Sequence, residues 1–376
     1  MTFNYDYEYL IHLIYCFIHG AQPEEKPENI SFKNVYELGV AHEVANIAFL
    51  SVNKLENKPD SELYAEWQVC YFHSVQRDAR QWEERELLVD ALHKNGVRTL
   101  EAQGTVTKKL YPTTDSRMMS DIDFIIDLEN LALAEETVLS LGYRTEHENE
   151  IEFNAYNQNG LETEFHTDFF TEYMLHKKER FNAALNSAFD HAKPSEADPL
   201  TYVLDKTYYY LFSLLHVIKH YEIAGCGIRR ILDLYYLKKL ESSIDMSVVN
   251  ATLIEGSFDK EAALLFELEA FWFEGKKPEN DLSELIKDVV LAGNHGSYEQ
   301  YIRNDVRKDR DKGVRFPKLK KVKDFLFPTK EYMHLGSEFL RKHNVPLVLC
   351  WIYRLFHSVK NIPNTIGKIK NLINIK

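Results

Sequence analysis

The sequence predicts an α+β protein: a small mixed sheet with its own helices, flanked by N-terminal and C-terminal helical regions. Three observations carry this expectation. Residues 62–94 form a charge-rich amphipathic stretch without an internal Gly or Pro. Between residues 97 and 167 the pattern changes to short β-prone runs separated by turn residues. Helical spacing then resumes after Asp198.

Taken in order, Leu10, Leu13, Ile14 and Phe17 recur at helical spacing, and the second long helix stops at Gly96. Val97–Leu100 suits a strand. Gly104 opens a short segment ending at Tyr111-Pro112, and a polar loop, Thr113–Ser120, leads into Ile122–Ile126. Asn130 is placed to cap a helix through Leu141, with Gly142 as its stop. Ile151–Tyr156 and Leu161–Thr167 flank Asn159-Gly160 and read as a hairpin. Tyr202–Tyr221, Ile228–Leu240, Asp259–Phe273 and Leu282–Ala292 read as helices. Residues 305–324 read as a basic linker or exposed arm, and Leu347–Val359 as a last apolar helix. The expected organisation is a helical region over 1–95, an α/β core over 96–175, a helical domain closing a cleft over 176–300, and a basic C-terminal tail with an amphipathic helix over 301–376.

Composition narrows the function classes. The chain has 376 residues, 45% hydrophobic and 27% charged, which describes a globular protein with more than one substructure. A net charge of −13 argues against a protein that wraps nucleic acid. The charge is uneven, with about +12 after residue 300 and about −25 before it. The basic tail therefore suits docking on its own acidic body or peripheral contact with an anionic membrane surface. Cys16, Cys70, Cys226 and Cys350 lack zinc spacing and read as reduced thiols of a cytoplasmic protein. The apolar run Tyr9–Ile18 is far shorter than a membrane span and lacks a basic leader.

The chemistry concentrates in Ser120-Asp121-Ile122-Asp123-Phe124. Side chains alternate along a strand, so Asp121 and Asp123 share one side while Ile122 points to the core. Their Cα atoms are about 7 Å apart at ~3.3 Å per residue, so two carboxylates can share one hard cation such as Mg²⁺. In Leu161–His166 the same alternation places Glu162, Glu164 and His166 together, and Glu164 can complete a metal set or accept a proton. Gly104-Thr105 follows a strand and opens a helix, which suits phosphate, and Arg117 can grip phosphate with two parallel bonds. His216 and His220 are spaced i, i+4, but Val217 stands where a zinc peptidase needs Glu, so they read as histidines packed between helices.

These features, in this order, resemble the DNA polymerase β-like nucleotidyltransferase superfamily, and within it a bacterial family of uncharacterised nucleotidyltransferases. The residues that carry the likeness are Gly104, Leu110-Tyr111-Pro112, Arg117, Asp121-Ile122-Asp123 and Glu164-Phe165-His166. It continues through His216–Asp233, Phe325–Pro328 and Trp351–Arg354. The resemblance implies a polymerase β-like sheet and transfer of a nucleoside monophosphate from an NTP to a hydroxyl of unknown identity, on a small molecule, glycan or protein. It implies catalytic and metal-binding roles for Asp121, Asp123 and Glu164 with Mg²⁺ (or Mn²⁺). It further implies nucleotide binding by Gly104, Thr105, Arg117, Ser120, His220 and Arg229, with Asp233 beside them. The chain departs from the family pattern at Gln103, where Lys is common, at Thr105, and at Glu164, where Asp is usual. Lys108 or Lys109 is the expected replacement cation.

Three readings compete. Sugar-nucleotide glycosyltransferases also use Asp-x-Asp with a metal, but there the apolar strand leads into the motif, whereas here it follows. A catalytically degenerate core would serve as a nucleotide-binding or assembly protein. A toxin modifying tRNA is opposed by the acidic body and kept open by the basic tail.

Overall fold

Apolar residues at helical spacing dictate the first ninety positions. The computed structural model describes residues 5–101, 103–147, 151–169, 187–311, 313–330, 333, 343 and 345–358. Helices α1 (Asp6–His19), α2 (Phe32–Ala41) and α3 (Ala45–Val52) bury Leu10, Leu13, Ile14, Val35 and Ile47 in one core. Gly20, with φ of 66°, ends α1, and the Ser31 side chain caps α2 by accepting from Asn34 N–H. Helix α4 (Ser61–Lys94) runs for 34 residues, so it is about 51 Å long at ~1.5 Å per residue. Asp60 starts it by accepting from Leu63 N–H at 3.0 Å, and Gly96, at φ of 76°, turns the chain out of it.

The sheet has seven strands: β1 (Thr99–Glu101), β2 (Asp121–Ile125), β3 (Arg144–His147), β4 (Glu152–Tyr156), β5 (Glu162–His166), β6 (Ala192–Pro194) and β7 (Thr201–Leu204). Their spatial order is β3-β4-β5-β2-β1-β7-β6. Two pairings are parallel, β2 with β5 and β1 with β7, and the rest are antiparallel, so the sheet is mixed as expected. Helices α5 (Gly104–Lys108) and α6 (Leu131–Ser140) follow β1 and β2. One sheet face is apolar: Ile122, Phe124, Phe153, Ala155 and Phe165 are fully buried with Leu88 and Leu92 of α4 and Val138 of α6. Phe165 stacks between Phe124 and Phe153, with ring centroids 5.7 and 4.6 Å away.

Several sequence expectations need correction. The sheet is wider than the expected core, because β3 precedes the hairpin and β6 and β7 lie in the stretch around Asp198. These strands have three or four residues each, too few for a periodicity to show. The hairpin loop is longer than the Asn159-Gly160 pair. It spans 157–161, where Asn157 Oδ1 accepts from the Asn159 and Leu161 amides and Gly160 takes φ of 74°.

Helices α7 (Lys206–Ile223), α8 (Ile228–Leu237), α9 (Met246–Glu255), α10 (Asp259–Phe273) and α11 (Ser283–Ala292) complete the first of two compact units, Met1–Tyr221 with Cys226–His295. The second unit is Glu222–Gly225 with Gly296–Lys376. There the expected basic arm at 305–324 is instead a pair of helices, α12 (Tyr298–Asp311) and α13 (Pro317–Leu326). Lys320 and Lys321 bind Asp309 at 2.7 and 3.1 Å, and Lys321 binds Asp305 at 2.6 Å, so acidic neighbours in the same unit neutralise the basic run. Helix α14 spans Leu347–Ser358, and the expected last residue, Val359, lies outside the described residues. Trp351 donates to Pro328 O at 2.8 Å and packs edge-on to Phe327. Among the described residues no helix is long and apolar enough to cross a membrane.

Candidate active site

The polar face of the sheet is built by register. Asp121 and Asp123 point away from the Phe124 side of the sheet, and the parallel β2–β5 pairing sets Asp121 beside Glu162 and Asp123 beside Glu164. The antiparallel β4–β5 pairing sets Glu152 opposite His166 and Asn154 opposite Glu164. Asp121, Asp123, Glu152, Glu164 and His166 all line one cavity of about 310 Å³. Glu162 shares the face but is held away by Asn154 and Tyr156, which donate to it at 3.0 and 2.6 Å.

Crowding of like charge sets the proton affinities. Burial and the neighbouring Asp123 and Glu164 carboxylates push Asp121 up to about 7. His166 Nε2 lies 3.1 Å from Glu164 Oε2 and 3.6 Å from Asp123 Oδ1, while Nδ1 lies 3.1 Å from Glu152 Oε2. Burial opposes its charge, but these bonds outweigh burial and hold it well above the ordinary imidazole range. Ligand atoms of Asp123, Glu164 and His166 lie within 4.8 Å of one another, a donor set able to hold a metal ion.

The opposite wall comes from helices and is cationic. His216, Lys219 and His220 of α7, Arg229 and Arg230 of α8, and His295 line the same cavity. His216 and His220 have their Nε2 atoms 3.0 Å apart, and burial together with nearby cations holds both well below the usual histidine range. Both are half-buried, and both line the cavity. Burial and Arg230 bring Lys219 down to about 8 despite the attraction of Asp123, Glu164 and Glu152. Burial and Arg229 bring Arg230 down to about 10.

The loop before Asp121 is held carbonyl by carbonyl. Arg229 donates to Met118 O at 2.9 Å, Gln81 to Met119 O at 2.9 Å, and Arg77 to Ser120 O at 2.7 Å. Asn46 donates to Asp115 O at 2.8 Å. Arg229 is in turn fixed by Glu43 at 3.0 Å and by Asn294 at 3.2 Å. Burial alone would raise Glu43, but His295 and Arg229 outweigh it and lower it to about 2. Gly227 permits this packing: a Cβ there would sit 2.7 Å from the Asn294 backbone.

Eight residues expected from the sequence to form the site reach the cavity. Gly104, Arg117, Ser120, Asp121, Asp123, Glu164, His220 and Arg229 all line it. Arg117 differs from expectation in role. Its Nε and Nη2 are engaged by Asp233 at 2.7 and 2.9 Å, so the fork is closed by a buried partner rather than open to phosphate. Tyr111 also donates to Asp233, at 2.7 Å, which explains why the Tyr-Pro step and the Arg occur together. Arg117 Nη1 and Thr105 Oγ1 are buried with no hydrogen-bond partner among the described residues. Thr105 and Asp233 do not reach the cavity wall. Gln103 does, in a strained conformation with φ of 55° and ψ of −119°. Neither suggested replacement lysine lines the cavity. Lys108 is buried against Asp78 and Gln81 at 2.6 and 2.9 Å, and Lys109 is exposed near Glu101. Glu43, Glu152, Lys219 and His295 were missed. Glu152 alternates in register with a strand already identified, but the others carry no local pattern.

No curated protein matches this sequence. The fold overlaps the solution structure of the antibiotic-resistance factor ANT(2'')-Ia with a TM-score of 0.36 and 12% identity, over 52% of this chain and 99% of that one. At that level the likeness carries no functional argument. Residues 28–274 match the uncharacterised nucleotidyltransferase family. That span begins before α2, ends after α10, and takes in the acidic strands, the cationic helices and the loop clamped between them. The chain therefore belongs to the uncharacterised nucleotidyltransferase family, as an enzyme of the transferase class.

Proposed function

We propose that this cavity carries divalent-metal-dependent transfer of a nucleoside monophosphate from an NTP to a hydroxyl acceptor on a small molecule, glycan or protein. The single observation that carries the reading is the opposition of charge. An acidic strand face bearing Asp121, Asp123 and Glu164 shares one cavity with the cations Lys219, Arg229 and Arg230. A metal–triphosphate complex has the same two-sided character, a cation on one side and phosphate oxygens on the other.

The donor chemistry fits the ion. Three carboxylates on two adjacent strands suit Mg²⁺ or Mn²⁺, with Asp121, Asp123 and Glu164 as the ligands. The bound ion would neutralise triphosphate charge and orient the transferred group. The chain's own residues hold the rest. Lys219, Arg229 and Arg230 face the phosphate oxygens, and Arg117 Nη1, buried in the cavity lining beside Gly104, is a donor awaiting an acceptor. Arg77, Gln81 and Arg229 keep the loop into Asp121 rigid, as in-line geometry requires. Four free thiols and an NTP substrate suit a cytoplasmic setting.

Isothermal titration of NTP in the presence of Mn²⁺ tests the assignment, with pyrophosphate release over a panel of hydroxyl acceptors. Asp121→Asn and Asp123→Asn should each abolish metal-dependent NTP binding with the fold intact by circular dichroism. Unchanged affinity in both variants sinks the proposal, and preference for a UDP-sugar over NTP moves the protein to the glycosyltransferases.

A further inference from the structure

The proposed reaction assigns the ion to three carboxylates, and the inference here rests on that reading and extends it. We propose that His166 is itself a metal ligand: Asp123, Glu164 and His166 form a mixed nitrogen and oxygen site that favours a first-row transition ion over Mg²⁺, with Glu152 orienting the imidazole.

The geometry is specific to both ring nitrogens. Nε2 faces the carboxylate pair, and the three ligand atoms lie within 4.8 Å of one another, close enough to share one ion. Nδ1, on the other side of the ring, meets Glu152 Oε2 at 3.1 Å. A carboxylate on one imidazole nitrogen fixes the tautomer that leaves the other nitrogen's lone pair available, and it also raises ligand basicity. Glu152 is only 3% exposed, so its carboxylate meets the ring away from bulk solvent. Three strands supply the four groups, and the two registers align them: Asp123 with Glu164, and His166 with Glu152. On the reverse face Phe124, Phe165 and Phe153 stack, which pins these strands and preorganises the donors.

An imidazole donor changes the metal preference. Mg²⁺ takes oxygen ligands and keeps much of its water, whereas imidazole suits later first-row ions. Asp121, two strand positions before Asp123, stays outside the nitrogen-containing set and remains available to an ion on the triphosphate. The rival explanation of the same contacts is a charged imidazole that merely neutralises the carboxylates.

Mn²⁺ added to the full chain without nucleotide separates these, read by electron paramagnetic resonance. The expected result is a nitrogen coupling from a directly bound imidazole in the unaltered protein and none in His166→Gln. That loss assigns the nitrogen to His166 rather than to His216 or His220, which line the same cavity. Mn²⁺ affinity should fall roughly 10–100-fold in His166→Gln and about 10-fold in Glu152→Gln, as for other orienting carboxylates, while Mg²⁺ affinity changes far less. Circular dichroism melts establish that both variants fold. Mn²⁺ bound through oxygen alone, with His166→Gln unaltered in affinity, overturns the inference and leaves the three-carboxylate reading intact. No Mn²⁺ binding even with a non-hydrolysable NTP overturns both.

Discussion

The two walls of the cavity are built by opposite means. The acidic wall is three neighbouring strands whose period of two presents every second side chain to the same space, so its chemistry is local and repetitive. The cationic wall is two helices and a loop joined by single long-range contacts: His42 reaches Ile228 and Val290, and Glu43 holds Arg229 and His295. Strand chemistry here acts through identity, residue by residue, while helix chemistry acts through placement. Damage to the first wall should cost activity, and damage to the second should cost stability as well.

The largest expected effect breaks the acidic wall. Asp123→Ala should lower nucleotidyl transfer by roughly 10³-fold, about 4 kcal/mol of transition-state stabilisation, with little change in melting temperature. Pyrophosphate release beside a thermal melt checks both halves, and a large drop in melting temperature would erase the contrast between walls. Next is the buried pair beneath the helical wall. Asp233→Ala leaves Arg117 buried without its partner and should destabilise by about 3–5 kcal/mol in urea titration.

A third test uses pH. His42 is fully buried, its Nδ1 accepting from Ile228 N–H at 3.1 Å and its Nε2 meeting Val290 O at 3.2 Å, and burial lowers its pKa from 6.5 to about 4. The unfolded chain then binds more protons than the native one between those values, so this contribution is present above pH 6.5 and is lost as pH falls toward 4. It is on the order of 3 kcal/mol at most. His42→Gln should flatten the difference in stability measured across that window, and an unchanged slope would remove His42 as its source. The smallest expected effect sharpens the comparison at the join. Arg77→Ala removes one carbonyl clamp on the loop before Asp121, at about 1 kcal/mol, and should lower kcat more than it raises KM for NTP.

Much of the acidic wall was legible because alternation is a physical consequence of the pleat. Asp121, Asp123, Glu164 and His166 could be assigned to common faces from spacing alone. Helix α4 was legible through its unbroken amphipathic run, and α10 matched its expected limits. By contrast, β6 and β7 are three and four residues long, too short for a periodicity, and the β-prone Thr201–Leu204 abuts the helix from Lys206, which hid it inside the expected Tyr202–Tyr221 helix. The engagement of Arg117 by Asp233, across 116 positions, has no local trace. Nor does the clamp from Gln81, because a buried Gln on a charge-rich helix looks like surface until its partner arrives.

What the sequence alone determined is the inventory: an α+β chain with a two-residue carboxylate spacing and a second acidic strand ending in His166. Only the tertiary structure decided that β2 and β5 pair in parallel at Asp123 and Glu164, that Glu152 stands behind His166, and that Lys219 and Arg230 face them. The reason is physical. Alternation and helical period follow from backbone geometry within a few residues, whereas register and apposition depend on which distant surfaces exclude water together.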